Sequence, residues 1–203
     1  MKQLFEKIDD LFERQLPGWC TKEKAYTLAS LVIGTRPAVI VEVGVFGGRS
    51  FLPMALALKE LGKGMAIGID PWSPAASVEG QLHPEDVKWW GERINHDEVF
   101  KRFSDESFKL GVQNCTRIYR LRSDQAPIPP HIDIYHQDGN HGEMANADAR
   151  RFAPVVPVGG YIIMDDIHWT GGGGERAEQF IMEIGFKRLY DIDSGAVFQR
   201  VRA

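Results

Sequence analysis

Three aspartates follow two apolar segments of this chain, and together they have the chemistry of a cation site. Asp138 follows the run 132–137, and Asp165 and Asp166 follow the run 160–164. If these runs are neighbouring parallel strands, three unpaired carboxylates meet at one sheet edge and repel one another. A hard divalent cation removes the repulsion, and an all-oxygen donor set favours Mg²⁺, Mn²⁺ or Ca²⁺ over zinc. We therefore predict a metal site at these three aspartates. The simpler alternative is that one aspartate caps a helix and another faces water.

A histidine close to this cluster has the chemistry of a general base. His141 lies three residues after Asp138, at the start of a predicted helix. The ordinary histidine pKa of about 6.5 suits proton removal at neutral pH. A helix-capping or surface histidine is the alternative, but nearness to the predicted metal favours a catalytic role. We predict His141 and Asp138 as the catalytic residues.

A glycine-rich loop follows the first apolar run. The segment 41–50 reads Val-Glu-Val-Gly-Val-Phe-Gly-Gly-Arg-Ser and precedes a helical pattern. Glycine lets the backbone approach a ligand, and a helix N-terminus offers free N–H groups. A dinucleotide fingerprint counted from Gly44 requires glycine where Phe46 and Arg49 stand, and no Gly-Lys-Ser/Thr ending is present. A pyrophosphate ligand is disfavoured, and Glu42 suits a cationic ligand better. The alternative is a tight turn that merely needs glycine.

The second strand pattern ends at Asp70, which could hold a ribose. Its carboxylate can accept two hydrogen bonds from a ribose diol, and it lies 20 residues beyond Ser50, a spacing typical of nucleoside-binding α/β folds. Trp72 could lie against an adenine face. The alternatives are that Asp70 is simply a turn residue and that Trp72 packs at an edge of the fold. Together with the glycine loop, these residues favour a nucleoside ligand.

Strand and helix patterns alternate along the chain, which predicts a doubly wound α/β fold. Strand patterns occupy 38–43, 65–69, 116–121, 132–137 and 160–164, and helical patterns lie near 49–61, 86–110, 141–153 and 175–184. The final strand patterns, 186–191 and 196–202, flank an Asp-Ser-Gly turn signal and predict an antiparallel hairpin. We expect a mostly parallel seven-stranded sheet that binds its ligands at the carboxyl ends of the strands.

Two helical patterns precede the sheet and suggest an N-terminal helical cover over residues 1–37, followed by one domain over 38–203. Residues 2–15 and 21–34 have helical spacing, with Thr21 as a plausible N-cap. These helices could form a homodimer seam. The segment 73–110 is longer than a plain crossover and predicts a helical lid, in which we expect Trp89 and Trp90 to pack in the core or against a second copy.

Composition excludes several classes of protein. The chain has 203 residues and a net charge of −4, which disfavours binding to nucleic acid. Its two cysteines cannot build a disulfide framework or a four-cysteine zinc site. No apolar run is long enough for a membrane span, and no apolar signal core follows Met1. We expect a cytoplasmic protein without membrane or nucleic-acid partners.

The motifs resemble those of class I S-adenosylmethionine-dependent methyltransferases. The pattern Glu-x-Gly-x-x-x-Gly-x-Ser at 42–50 looks like their first motif, and Asp70 matches their ribose-binding acidic residue. The pattern Asp-Gly-x-His at 138–141, followed by Gly-Gly-Tyr-Ile-Ile-Met-Asp-Asp at 159–166, resembles the metal-dependent O-methyltransferases. These include catechol O-methyltransferase and the sugar O-methyltransferases of macrolide and aminocoumarin biosynthesis. The likeness covers about residues 38–202.

This resemblance implies S-adenosylmethionine as cofactor, with Mg²⁺, Mn²⁺ or Ca²⁺ on the three aspartates. His141 stands where catechol O-methyltransferase has a lysine base, Phe46 where that enzyme has a tyrosine, and Ser123 near the adenine contact or at a helix cap. The implied cofactor-binding residues are Glu42, Gly44, Phe46, Gly48, Ser50, Asp70, Trp72 and Ser123.

Metal-assisted methyl transfer to a hydroxyl of a small molecule, such as a sugar diol or a catechol, is the function we predict. One alternative is a non-catalytic S-adenosylmethionine-binding module that acts through a protein partner, for which the three aspartates and His141 would have no use. The other is a nucleotide-dependent oxidoreductase, against which the failed dinucleotide fingerprint argues.

Overall fold

A seven-stranded sheet organises the chain in the computed structural model, which describes residues 1–80 and 83–203. The strand order is β3-β2-β1-β4-β5-β7-β6. Strands β1 to β5 are parallel, and β7 runs antiparallel to both β5 and β6. The strands are β1 Val39–Val43, β2 Met65–Ile69, β3 Thr116–Tyr119, β4 Ile134–Gln137, β5 Tyr161–Met164, β6 Phe186–Ile192 and β7 Gly195–Arg200. The predicted doubly wound sheet and its antiparallel C-terminal hairpin are confirmed.

Helices cover both faces of this sheet. They are α1 Lys2–Glu13, α2 Lys22–Thr35, α3 Phe51–Leu61, α4 Pro74–Val78, α5 Pro84–Lys88, α6 His96–Leu110, α7 Glu143–Phe152 and α8 Gly173–Glu183. One core forms around α1, α2, α3 and α6, and a second forms around α7 and α8. The central strands are buried on both faces because helices cover each side, which explains their nearly continuous apolar sequences.

The leading helices share the first core. Leu4, Ile8 and Leu11 of α1 are buried within this chain, so its amphipathic spacing is explained without a second copy. Helix α2 begins as predicted, with the Thr21 side chain accepting a hydrogen bond from the Lys24 backbone N–H at 3.1 Å. It ends at Thr35, one residue beyond the predicted end at Gly34, and Arg36 after it adopts the left-handed conformation.

The segment 73–110 consists of short helical pieces, α4 and α5, then one π-helical turn at Trp89–Arg93 and the longer α6. Residues 81 and 82 of this predicted lid lie outside the described residues. The helical pattern near 86–110 is interrupted because the Asn95 side chain accepts the Glu98 backbone N–H and starts a new helix. No helix in the described ranges has both the length and the apolar character needed to cross a membrane.

Candidate active site

A cavity of about 680 Å³ lies at the carboxyl edge of the parallel strands. Nine of the predicted site residues line it, and six of these are Gly44, Asp70, Ser123, Asp138, Asp165 and Asp166. Phe46, Ser50 and His141 also line it. The edge carries unusual backbone, since Phe46, Trp72 and Asp166 have positive φ angles of 46°, 43° and 47°. Such conformations are uncommon outside glycine and concentrate at functional sites.

The glycine loop is pressed against the next strand end. Gly44 has φ +90°, and a Cβ there would lie 2.0 Å from the backbone oxygen of Asp138. Gly48 has φ +84°, and a Cβ there would lie 2.6 Å from the Phe103 ring. Both positions therefore need glycine for conformation and for space. The loop after β1 and the turn after β4 touch at Gly44, which joins the two halves of the cavity.

Glu42 supports this loop from below. Its side chain is fully buried in β1, accepts a hydrogen bond from the Ser50 hydroxyl at 2.8 Å, and lies 3.0 Å from His136 Nδ1. Among these three residues, only Ser50 lines the cavity. The predicted cofactor residues Glu42 and Gly48 therefore lie behind the cavity wall, where they would act through the loop.

Asp70 ties the end of β2 to the glycine loop. Its Oδ2 accepts the Phe46 backbone N–H at 2.9 Å, and its Oδ1 accepts the Trp72 backbone N–H at 2.7 Å. Burial raises the pKa of Asp70, although the two N–H donors oppose that shift. A carboxylate has about four lone-pair positions, so these bonds leave acceptor capacity for a ribose diol.

The structure corrects the expectation for Trp72. This side chain is 2% exposed, and its ring centroid lies 4.7 Å from that of Phe100 and 5.7 Å from that of Phe103. Its indole N–H donates to the Phe46 carbonyl at 3.0 Å. The ring is packed in the core beneath the loop, so Trp72 is not placed to stack on an adenine.

Ser123 lines the same cavity beside a carboxylate that the sequence did not single out. It forms a hydrogen bond with Asp148 of α7, which is 2% exposed and also lines the cavity. Burial raises the pKa of Asp148 to about 6, although the Ser123 bond opposes the shift. Ser123 is thus held by a hydrogen bond to a buried residue of α7.

At the ends of β4 and β5, a lysine from α2 completes the acidic cluster. Lys24 is 1% exposed, and its ammonium group forms an ion pair with Asp165 Oδ2. Asp165 lies within hydrogen-bonding reach of Asp138. His136 Nε2 lies 3.8 Å from the same Asp165 oxygen. Neither His136 Nε2 nor Asp165 Oδ1 has a hydrogen-bond partner among the described residues.

The charged groups in this cluster shift the pKa values of their neighbours in different directions. Burial raises the pKa of Asp138, and the nearby Asp165 charge raises it further. Burial also acts to raise the pKa of Asp165, but Lys24, His136 and the hydrogen bond with Asp138 together more than offset this effect, so the pKa of Asp165 lies below its ordinary value. Although burial disfavours a charged lysine, Asp138 and Asp165 raise the pKa of Lys24. Burial and the Asp165 charge therefore favour the protonated form of Asp138, whereas Lys24 favours the ionised form of Asp165.

The third predicted metal ligand, Asp166, lies beside His141 and outside the group formed by Asp138 and Asp165. Asp166 Oδ2 lies 3.2 Å from His141 Nε2, and the Trp169 ring centroid lies 5.4 Å from that of His141. Burial lowers the pKa of His141, although the Asp166 and Asp165 charges oppose this. An imidazole held by Asp166 at Nε2 carries its proton there, which leaves Nδ1 as the proton acceptor.

These positions do not fit the predicted three-aspartate metal site. In the described part of the chain, the residues whose ligand atoms lie within 4.8 Å of one another are His136, Asp138 and Asp165, without Asp166. Lys24 already contacts one of these carboxylates. Asp138, Asp165 and Asp166 therefore do not form one donor set, and Lys24 occupies one oxygen of Asp165.

Several cavity residues were missed or interpreted differently from the sequence. Lys24 and Cys20 precede the sheet and had no motif to mark them, and burial raises the pKa of the Cys20 thiol. Trp89 and Trp90 line the cavity, although we expected them in a core or dimer seam. They form an aromatic cluster with Phe46 and Trp19, whose ring centroid lies 5.6 Å from that of Phe46. The sequence signal that could have identified Trp19 is an aromatic residue next to a Pro-Gly break.

Comparison with known proteins identifies the family. Residues 41–167 match the family model described as a methyltransferase domain. No curated protein matches the chain.

Three solved structures have the same fold. The O-methyltransferase NovP is 20% identical, with a TM-score of 0.67 over 91% of this chain and 84% of that one. SAH-bound Podospora anserina methyltransferase PaMTH1 is 11% identical, with a TM-score of 0.68 over 98% of this chain and 88% of that one. The SAM complex of the O-methyltransferase TomG from Streptomyces achromogenes, involved in tomaymycin synthesis, is 15% identical, with a TM-score of 0.64 over 98% of this chain and 90% of that one.

The family match extends from the glycine loop, through Asp70 and Asp138, to the Asp165–Asp166 pair, and so spans both halves of the cavity. This chain belongs to the methyltransferase domain family.

Proposed function

We propose that this protein transfers the methyl group of S-adenosylmethionine to a hydroxyl group of a small molecule. The observation that supports the proposal best is the continuity of the cavity. One wall carries the glycine loop and Asp70, and the other carries Asp138 and His141. A donor and an acceptor bound in this one cavity would meet at Gly44, where the two walls touch. The structures of NovP and TomG, both O-methyltransferases, share the fold that builds this edge.

In the proposed complex, the cofactor lies along the glycine loop with its ribose on Asp70. Phe46 and Ser50 line the same space. Ser123 is available for the adenine, and the bond to Asp148 fixes its orientation. Trp72 contributes by holding the loop through its bond to the Phe46 carbonyl.

His141 is the residue that we propose as general base. Its Nδ1 takes the proton from the acceptor hydroxyl as the oxygen forms a bond to the methyl carbon. The carbon–sulfur bond breaks, and its electron pair stays on sulfur to give S-adenosylhomocysteine. Asp166 holds the imidazole at Nε2 and stabilises the positive charge that develops on the ring. Fixed orientation of donor and acceptor supplies much of the rate, about 7 kcal/mol or more in well-oriented systems.

Metal assistance was part of the function predicted from the sequence. It would require a divalent ion on Asp138 and Asp165, the carboxylates that lie beside Lys24. We propose no step through such an ion. Sugar diols, catechols and simple phenols all remain within the proposed acceptor class.

Methyl transfer can be tested with labelled cofactor. Purified protein would be incubated with methyl-labelled S-adenosylmethionine and a panel of sugar diols, catechols and phenols, and products analysed by mass spectrometry. We expect an O-methylated product in an amount equal to the S-adenosylhomocysteine formed. His141→Ala should lower the rate about 100-fold or more. The matched control is His131→Ala, because His131 is exposed and pairs only with Asp133 among the groups within ion-pair distance. Cofactor binding without any methylated product would instead favour the non-catalytic module.

A further inference from the structure

The leading helix α2 places a buried lysine inside the acidic cluster, at a position that none of the sequence motifs includes. The Lys24 side chain is 1% exposed and Asp165 is 10% exposed, so water reaches this ion pair poorly. Residues 24 and 165 are 141 positions apart, and the contact joins α2 to the end of β5. The N-cap residue of α2, Thr21, also donates a hydrogen bond from its hydroxyl to the Asp193 carboxylate in the β6–β7 turn, at 2.9 Å. The start of α2 is thus fixed against the site at two places.

We propose that Lys24 is the resident cation of this site, so that the cluster holds no divalent ion and methyl transfer proceeds without one. This inference rests on the proposed function. The ammonium group supplies the positive charge that the aspartates need, from a position already fixed by folding. Although Lys24 is one of the residues that line the cavity, its ammonium group is paired with Asp165, and it therefore acts as a positioning residue: it fixes Asp165, which in turn holds Asp138.

The rest of the cluster agrees with a single internal positive charge. Asp166, the third oxygen ligand of the predicted metal site, lies against His141 instead. His136 Nδ1 lies against Glu42, on the side away from Asp165. A divalent ion bound to Asp138 and Asp165 would share the Asp165 carboxylate with the lysine that occupies its Oδ2. Removing the lysine charge should therefore create a cation site where the native chain has none.

Mn²⁺ is a direct probe, because its electron paramagnetic resonance signal distinguishes free from bound ion. We expect the native protein to leave Mn²⁺ free up to about 1 mM, with or without S-adenosylhomocysteine. Lys24→Met should bind Mn²⁺ at least 10-fold more tightly than the native chain, through His136, Asp138 and Asp165. Lys24→Gln, which can still donate a hydrogen bond to Asp165, is the second variant in case Lys24→Met does not fold.

Lys22→Met is the matched control, because Lys22 lies on the same helix, is 40% exposed and pairs with Asp9 at 2.9 Å. It should behave like the native chain. Micromolar Mn²⁺ binding by the native protein would overturn the proposal whatever the variants do, and so would a folded Lys24→Met that binds no Mn²⁺. With a reactive acceptor in hand, EDTA should leave native transfer unchanged, and Mn²⁺ should stimulate Lys24→Met but not the native enzyme. Absence of S-adenosylhomocysteine binding would instead refute the proposed function and leave the Mn²⁺ result unaffected.

Discussion

The two halves of the cavity satisfy their carboxylates in different ways. At the ends of β1 and β2, Glu42 and Asp70 receive hydrogen bonds from nearby parts of the chain, namely the Ser50 hydroxyl and two backbone N–H groups. At the ends of β4 and β5, Asp165 depends on Lys24, which comes from a helix 141 residues away. Local sequence therefore builds the first half, whereas folding of the leading segment completes the second.

The largest effect is expected at Gly44, where the two halves touch. Gly44→Val should reduce S-adenosylhomocysteine affinity at least 100-fold, because the new Cβ would lie 2.0 Å from the Asp138 backbone oxygen at φ +90°. Calorimetry and circular dichroism would measure binding and folding. Gly34→Ala is the control, since nothing lies within 4 Å of a Cβ at this helical position, and it should be neutral or stabilising by about 0.5–1 kcal/mol. If Gly44→Val bound S-adenosylhomocysteine as the native protein does, the proposal that the two halves of the cavity meet at Gly44 would be contradicted.

Asp148 is an exception within the cofactor half, because its charge is buried with little compensation. Its folded-state pKa of about 6 exceeds the ordinary value of 3.8, so the native protein loses stability as pH rises from about 4 to 6. Asp148→Asn should therefore raise the free energy of unfolding by up to about 3 kcal/mol at pH 8 and change it little at pH 4.

Urea denaturation at the two pH values would measure this difference. Asp10→Asn, which changes an exposed aspartate of α1, is the control and should stay within about 0.5 kcal/mol of the native protein at both pH values. A destabilised Asp148→Asn at pH 8 would show that the carboxylate is well compensated after all.

Ser50→Ala tests the local bonding of the first half. Removing the hydroxyl leaves a buried Glu42 oxygen without its donor, which should cost about 1–3 kcal/mol of unfolding free energy in chemical denaturation. Thr170→Ala, at an exposed hydroxyl, should change stability by less than about 0.5 kcal/mol. Equal stability of Ser50→Ala and the native protein would argue against a supporting role for this bond.

The smallest effect is expected for Trp72→Phe. If the ring packs in the core, this change should lower stability by about 1 kcal/mol through loss of the indole bond, and should alter S-adenosylhomocysteine affinity less than about 2-fold. Trp169→Phe, at the exposed ring beside His141, should not destabilise the fold. A loss of S-adenosylhomocysteine affinity above 10-fold in Trp72→Phe would instead support the adenine contact predicted from the sequence.

The contrast between the halves also explains what the sequence could predict. Asp70 and Asp138 follow strongly apolar strands, so their placement at one edge follows from parallel pairing. Trp72 was misplaced because the residue pattern does not report the tertiary packing that buries its ring against Phe100 and Phe103. Lys24 resembles a surface lysine in the helical pattern of α2, and its burial depends on a tertiary contact with no local signature.

Calorimetric titration with S-adenosylhomocysteine tests the central claim, that the cofactor binds over the ends of β1 and β2. The native protein should bind, Asp70→Ala should bind at least about 30-fold more weakly, and His141→Ala should bind as the native protein does. Asp70→Ala loses both the acceptor of two loop N–H groups and the proposed ribose ligand. Absence of binding by the native protein, or equal affinity in Asp70→Ala, would contradict the account.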